Sequence, residues 1–269
     1  MWLGFIDAVL LNHRTERGLG YVRYLALAFV VGVLVTSAES SSQPQALAQG
    51  LPHVVRCVKP AVVFVSTARI DGKTVSGSGF IISKDGYLLT AYHVVEKARR
   101  IFVRLPSGHG EEARFVKGNE VLDFALLKLT QGLNYPRVTL LGGSAPSQGE
   151  EILVFGYPGG RYLGVRDVTV TRGIISAFRG FQNNIIQIDA SINPGNSGGP
   201  VVGLDSLVVG IAFASSPRMI GVNFAVSMTG PKVMLIFHGL NPEGSRNARV
   251  RSWTRDPHYL QLSGPPPCD

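Results

Sequence analysis

From Ala61 onward, short runs of Val, Ile, Leu and Phe recur between Gly, Pro, Asn and Asp residues. Apolar runs of this length, bounded by turn formers and too short for helices, read as β-strands. The pattern predicts them at 61–67, 77–83, 86–91, 101–105, 112–117, 123–129, 151–156, 167–178, 184–189, 199–203, 206–214 and 221–226. No long helical pattern separates them, which argues for antiparallel barrels or a sandwich and against a parallel α/β sheet. The fold class is therefore all-β. The stretch from Gly132 to Gly149, with Tyr135-Pro136, Gly142-Gly143 and Pro146, has turn chemistry and few strand formers. It is the natural crossing between two halves. Pro231 to Leu240 can form one closing helix, since proline is tolerated in a first turn. Asn241 to Asp269, with four arginines and Pro265-Pro266-Pro267, is expected to have little order. No internal repeat is visible.

The N-terminal region has a different pattern. Arg14, Arg17 and Arg23 precede an apolar run from Leu25 to Val35, followed by small and polar residues from Thr36 to Gln45. That is the order of a secretory signal. As a helix, Tyr24 to Thr36 would span roughly 20 Å, short of the ~30 Å hydrocarbon core of a bilayer. Cleavage, after Ala38 or after Ala48, is thus expected ahead of a retained membrane tether. Residues 1–48 are read as signal or anchor plus linker, 49–240 as the folded domain and 241–269 as a tail. The destination is extracytoplasmic, either periplasmic or secreted.

Composition adds little to this picture. The formal charge is +8, and residues 49–240 hold 19 Lys and Arg against 12 Asp and Glu. The densest run, Lys97, Arg99, Arg100 and Arg104, reads as a solvated basic face, and no nucleic-acid motif accompanies it. Cys57 and Cys268 are the only cysteines. Cys57, beside Val54, Val55 and Val58, reads first as a small buried residue; a disulfide to Cys268 is the lesser expectation. His53 is expected before a short helix and His109 in a turn, with His13, His238 and His258 outside the strand core. None has a partner at metal-ligand spacing, so neither metal nor cofactor is expected.

The sharpest chemical feature is Asn193-Pro194-Gly195-Asn196-Ser197-Gly198-Gly199-Pro200. A nucleophilic serine needs an exposed Oγ beside backbone N–H groups that converge on a developing oxyanion, and flanking glycines permit the close approach this requires. A serine hydroxyl also needs a base, and the base needs a group that fixes its tautomer. Thr90-Ala91-Tyr92-His93 ends one predicted strand, and Asp123-Phe124-Ala125-Leu126-Leu127 begins another. Each feature alone is usually structural; together they run in the order His93, Asp123, Ser197 across two β-rich halves.

Taken together, these pieces resemble the trypsin-like serine proteases, and specifically the HtrA/Deg family. The matching segments are Gly77-Ser78-Gly79-Phe80-Ile81-Ile82, Leu89 to Val95, Asp123 to Lys128, Gly173-Ile174-Ile175-Ser176, Gln187 to Pro200 and Gly221 to Val226. The resemblance implies a chymotrypsin-like double six-stranded antiparallel β-barrel, with barrels at about 61–130 and 150–227 and the site between them. It implies His93, Asp123 and Ser197 as catalytic residues, and an oxyanion hole at Gly195, Asn196 and Ser197. It also implies cleavage of unfolded or misfolded polypeptides in protein quality control, and a homotrimer. Three departures stand out. The 29 residues after Leu240 are too few for the PDZ domain that family members commonly carry. Tyr92 is a mild variation in the His motif. Asn196 stands where digestive trypsin-like enzymes have an aspartate that pairs with a newly cut N-terminus, so loop ordering on binding is the expected switch.

Specificity is partly legible. Ser191, six residues before Ser197, matches the pocket base where trypsin has an acid, so a Lys or Arg side chain there would lose its hydration without gaining a counter-charge. Ile192, Phe213 and Ala214 complete an expected shallow apolar pocket for Val, Ala, Ile or Leu. Asp189 is expected to orient loops through hydrogen bonds. The reading from sequence is a serine endopeptidase acting on polypeptides. The alternative is a holdase or scaffold that binds unfolded chains without cutting them, and an esterase using the same triad comes third.

Overall fold

The computed structural model describes residues 50–132, 134–140, 146–159, 167–215, 221–237 and 239. The apolar segment at 25–35, the tail beyond Leu240 and Cys268 lie outside these residues. Six strands build the first half: β1 (Val62–Arg69), β2 (Thr74–Ile81), β3 (Tyr87–Thr90), β4 (Ala98–Arg104), β5 (Gly110–Asn119) and β6 (Phe124–Leu129). They close into a barrel in the order β1-β2-β3-β6-β5-β4, with β4 returning to β1.

After β7 (Thr139–Leu140), the second half contains β8 (Glu151–Gly156), β9 (Thr169–Arg179), β10 (Ile185–Ile188), β11 (Pro200–Gly203), β12 (Leu207–Ser215) and β13 (Asn223–Ser227). Its order is β11-β8-β9-β10-β13-β12, and β12 closes on β11. The all-β double six-stranded barrel expected from the sequence is the observed fold. Every predicted strand is present within a few residues of its expected ends. The additional strand is β7, two residues that pair in parallel with Leu207 and Val208 at the edge of the second sheet. So short a segment has no period to read.

Strand β8 shows how the halves are joined. Ile152 and Val154 are buried with Ile175, Ile186, Ile188 and Val201 in the second barrel. Leu153 and Phe155, pointing the other way, belong to the cluster that fills the first barrel with Phe80, Leu88, Leu89, Leu126 and Leu127. Alternation with period two lets one strand serve two cores. Each such side chain, fully buried, is worth roughly 1.5–3 kcal/mol.

Three α-helices are among the described residues, α1 (Leu51–Val58), α2 (Tyr92–Val95) and α3 (Thr229–Phe237), with short 3-10 turns at Lys59–Ala61 and Phe181–Asn183. Val54 and Val58, four apart and therefore on one face, anchor α1 in the first core. His53 lies inside α1 rather than before it, with Nε2 3.4 Å from the Cys57 sulfur. Cys57 is half-buried and disulfide-bonded, not a buried thiol. Helix α3 begins two residues earlier than expected, with Pro231 in its first turn. Among the described residues no helix is long and apolar enough to cross a membrane.

Candidate active site

Strand β3 ends at Thr90, and the chain turns at once into α2, so His93 sits on a single helical turn and not at a strand end. Four residues cannot hold a helix by their own hydrogen bonds. Neighbours hold it instead. Asp123 accepts from the His93 backbone N–H through Oδ1 at 2.8 Å and pairs with His93 Nδ1 through Oδ2 at 2.7 Å. Asp123 stands one residue ahead of β6 with φ +52°, a left-handed conformation that Asp tolerates better than most residues. That turn aims its carboxylate back toward α2. The carbonyl of His93 accepts from the Arg69 guanidinium at 2.6 Å, and the same group lies 3.6 Å from Glu96, which ends the turn.

Ser197 lies in the loop between β10 and β11. The chain from Asn193 to Ser197 is fixed through its carbonyls. Asn193 O accepts from the Asn196 N–H, Pro194 O from Gly159, Gly195 O from the Ser78 hydroxyl, Asn196 O from Gly199 and Ser197 O from the Ser78 N–H. The peptides are trans, so each N–H points away from its preceding carbonyl. The amides of Gly195 and Ser197 consequently donate to no group among the described residues. The Asn196 amide is committed to the Asn193 carbonyl, and the Asn196 side chain is buried. Gly195 adopts φ +105°, and a Cβ there would overlap the Tyr157 carbonyl, so only glycine fits.

The two halves meet at Gly77 on β2. A Cβ at this residue would lie 2.7 Å from the Ser197 carbonyl oxygen and 2.7 Å from Val94, the neighbour of His93. The missing side chain therefore lets the serine loop back directly onto the His93 helix. The Ser197 hydroxyl points to the Phe213 carbonyl on β12, 3.3 Å away.

The pocket residues are placed less uniformly. Ser191 is exposed, with its carbonyl accepting from Thr171 Oγ1 at 2.9 Å. Ile192 is 6% exposed and packs into the second barrel's core, so it backs the wall rather than facing outward. Phe213 is half-buried, its ring 6.4 Å from that of Phe224. Ala214 lies on β12, with its side chain outside the described set. Asp189 receives the Ile174 N–H at 2.6 Å and holds the end of β10 to β9, as a loop-orienting residue should. Asn223, unnoticed as an individual residue in the sequence, donates from Nδ2 to the Ala190 carbonyl at 2.9 Å and fixes the segment leading into Ser191. Arg69 and Ser78 also escaped notice as individuals; Ser78 at least carried a signal, a polar residue between two glycines inside an apolar strand.

Two closed barrels with facing histidine and serine loops are the architecture of a trypsin-like peptidase, and the Trypsin-like peptidase domain family matches residues 77–211. A probable periplasmic serine endoprotease DegP-like of Pseudomonas fulva is 44% identical over 161 residues, covering 57% of this chain and 32% of that protein. The magnetosome formation protease MamE of Paramagnetospirillum magneticum is 33% identical over 224 residues, 77% of this chain and 29% of the relative. A solved serine endoprotease from Yersinia pestis superposes with TM-score 0.60 at 36% identity, covering 69% of this chain and 64% of the other. The chain belongs to the HtrA/Deg family of trypsin-like serine proteases. It spans about a third of the length of these curated relatives.

Proposed function

We propose that this chain is a serine endopeptidase that hydrolyses peptide bonds of unfolded polypeptides outside the cytoplasm, in protein quality control. The observation that carries the reading is the two-point contact of Asp123 with His93, beside a serine loop that meets the His93 helix at Gly77 and whose Gly195 and Ser197 amides have no acceptor among the described residues. Asp123 holds Nδ1 of the imidazole, which leaves Nε2 to act on the serine. The Ser197 hydroxyl leaves the Phe213 carbonyl and turns toward His93. Oγ attacks the scissile carbonyl carbon as its proton passes to Nε2. The carbonyl oxygen takes up the displaced electron pair between the N–H groups of Gly195 and Ser197. Collapse expels the amine, which takes the proton from His93. Water, deprotonated by the same imidazole, then attacks the acyl carbon bonded to Oγ; the C–Oγ bond breaks, the imidazolium returns its proton to Ser197, and the new carboxylic acid leaves. Losing one oxyanion donor costs about 2.7–4 kcal/mol of barrier, so the order of the loop governs activity.

The Phe213 carbonyl lies on β12, where an extended substrate would add as a strand. With Ser191 and no acid at the pocket base, residues such as Val, Ala, Ile and Leu are favoured before the cut. The test is to incubate residues 49 onward, beside Ser197→Ala, with an unfolded protein at neutral pH and to map the fragments by mass. Cleavage by the parent alone, after Val or Ala, supports the proposal. Binding of the unfolded protein without cleavage by either form supports the holdase, and ester turnover without peptide turnover supports an esterase.

A further inference from the structure

The motif Gly77-Ser78-Gly79 has no role in the chemistry above, yet Ser78 is completely buried and touches the serine loop at two points. Its N–H donates to the Ser197 carbonyl at 2.8 Å. Its hydroxyl accepts from the Tyr157 N–H at 2.9 Å and donates to the Gly195 carbonyl at 2.7 Å. Its own carbonyl accepts from Thr90 Oγ1 at 2.7 Å, on the strand that leads into His93. One residue of the first barrel thus binds the loop bearing the nucleophile, the segment after β8 and the strand before the base.

We propose that Ser78 is a positioning residue for the oxyanion hole, an assignment that rests on the serine-hydrolase reading of this site. The Gly195 carbonyl can point at Ser78 only when the Gly195–Asn196 peptide has one orientation. The same hydroxyl, through Tyr157, holds the segment in which Gly159 donates to the Pro194 carbonyl at 2.9 Å. That bond directs the Gly195 N–H the opposite way, toward where the oxyanion forms. A hydroxyl suits this post because it donates and accepts at once. Without it, both the Gly195 carbonyl and the Tyr157 N–H lose their partner, and the two peptides can rotate.

The test compares the parent with Ser78→Ala and with Ile101→Ala, a packing loss on β4 of the first barrel, where Ile101 is buried and pairs with Thr67 and Ala113 rather than with the Ser78 segment. Turnover of a peptide substrate is measured together with affinity for a peptide aldehyde. Ser197 adds to the aldehyde, which then places an oxyanion between the two amides. Ser78→Ala is expected to lower kcat by about tenfold to a hundredfold, less than or comparable to outright loss of a donor. KM should stay within about threefold, and aldehyde affinity should fall in parallel with kcat/KM. Ile101→Ala should lower Tm with both activity ratios unchanged. Hydrogen exchange should accelerate at Tyr157 and Gly159 in Ser78→Ala while β10 keeps its protection. Parent-like kcat and aldehyde affinity in Ser78→Ala, or a loss confined to KM, overturns the proposal. If the parent neither cleaves nor binds the aldehyde, the hydrolase reading fails and the oxyanion assignment falls with it. Exchange at Tyr157 and Gly159 would then still report whether Ser78 holds the loop.

Discussion

In the first barrel, His93 is held at three atoms: its N–H and Nδ1 by Asp123 and its carbonyl by Arg69. In the second barrel, the loop around Ser197 is held almost wholly by its oxygens, five consecutive carbonyls each receiving a hydrogen bond. The two arrangements fit the roles proposed for them. A general base has to keep one ring nitrogen in one place, so every other polar atom can be tied. An oxyanion hole has to keep N–H groups unclaimed, so the chain that carries them can be fastened only through its acceptors. The first half is fixed by charge and the second by peptide geometry, which makes them fail in different ways.

The largest effects come from removing the reacting groups on either side. Ser197→Ala or His93→Ala should reduce kcat by about a million-fold, and Asp123→Asn by about 10⁴-fold with the fold intact, as measured by peptide turnover beside circular dichroism. Equal retention of activity in Asp123→Asn would mean that the first barrel does not supply the tautomer-fixing group. Next comes Gly195→Ala, which forces a side chain against the Tyr157 carbonyl at a positive φ. A fall in kcat of about 10²–10³-fold with little change in KM is expected if the loop exists to present amides.

A smaller change separates the halves further. Arg69→Met should lower kcat by about tenfold, since it frees the His93 carbonyl while the two Asp123 bonds remain. The loss should be partly restored in Arg69→Lys, where an ammonium can still donate. Exchange of the Val94 amide, which bonds the Ala91 carbonyl at 3.3 Å, is the accompanying readout.

The smallest effect concerns stability. The Tyr135 phenol is pushed up to about 12 by burial and then by its hydrogen bond to Glu111, itself buried. Tyr157 is pushed up to about 12 by burial, with Asp167 adding to it. Both phenols favour the folded state while protonated. This contribution is complete below pH 10 and is lost as the pH rises toward 12. Tm should therefore decline across that window. Tyr135→Phe should flatten the decline, which thermal melts at pH 9, 10.5 and 11.5 would reveal.

The sequence made the strands legible because a barrel wall repeats an apolar pattern between turn formers, and β8 at 151–156 was readable to the residue. The loop of Ser197 drew a chemical reading only through its company, since a Gly-rich loop holding a serine is usually structural until His93 and Asp123 precede it in order. Other features were hidden for physical reasons. Helix α2 is one turn long and is made by Asp123 and Arg69, contacts 30 and 24 residues away in the chain. Strand β7 exists only by pairing with β12. Ile192 adjoins Ser191 in the loop after β10, yet its side chain is buried with the second barrel's core while Ser191 is exposed, a difference that no period in the sequence announces outside a strand. Ser78 stood within a segment matched to the family but was not singled out, although it is a hydroxyl between two glycines. Its purpose could not be read, because its main partner lies 117 residues later.

Strand β8 carries a further consequence. Since Leu153 and Phe155 sit between the barrels, the width of the cleft depends on side-chain volume, beside the one surface ion pair described between the halves, Lys59 with Asp167. Trimming Phe155 to Leu would let the barrels settle closer, and enlarging Leu153 to Phe would wedge them apart. Either change would alter the reach from imidazole to hydroxyl while leaving every catalytic atom in place. The protein would then work as a calliper whose jaws are set by hydrocarbon thickness.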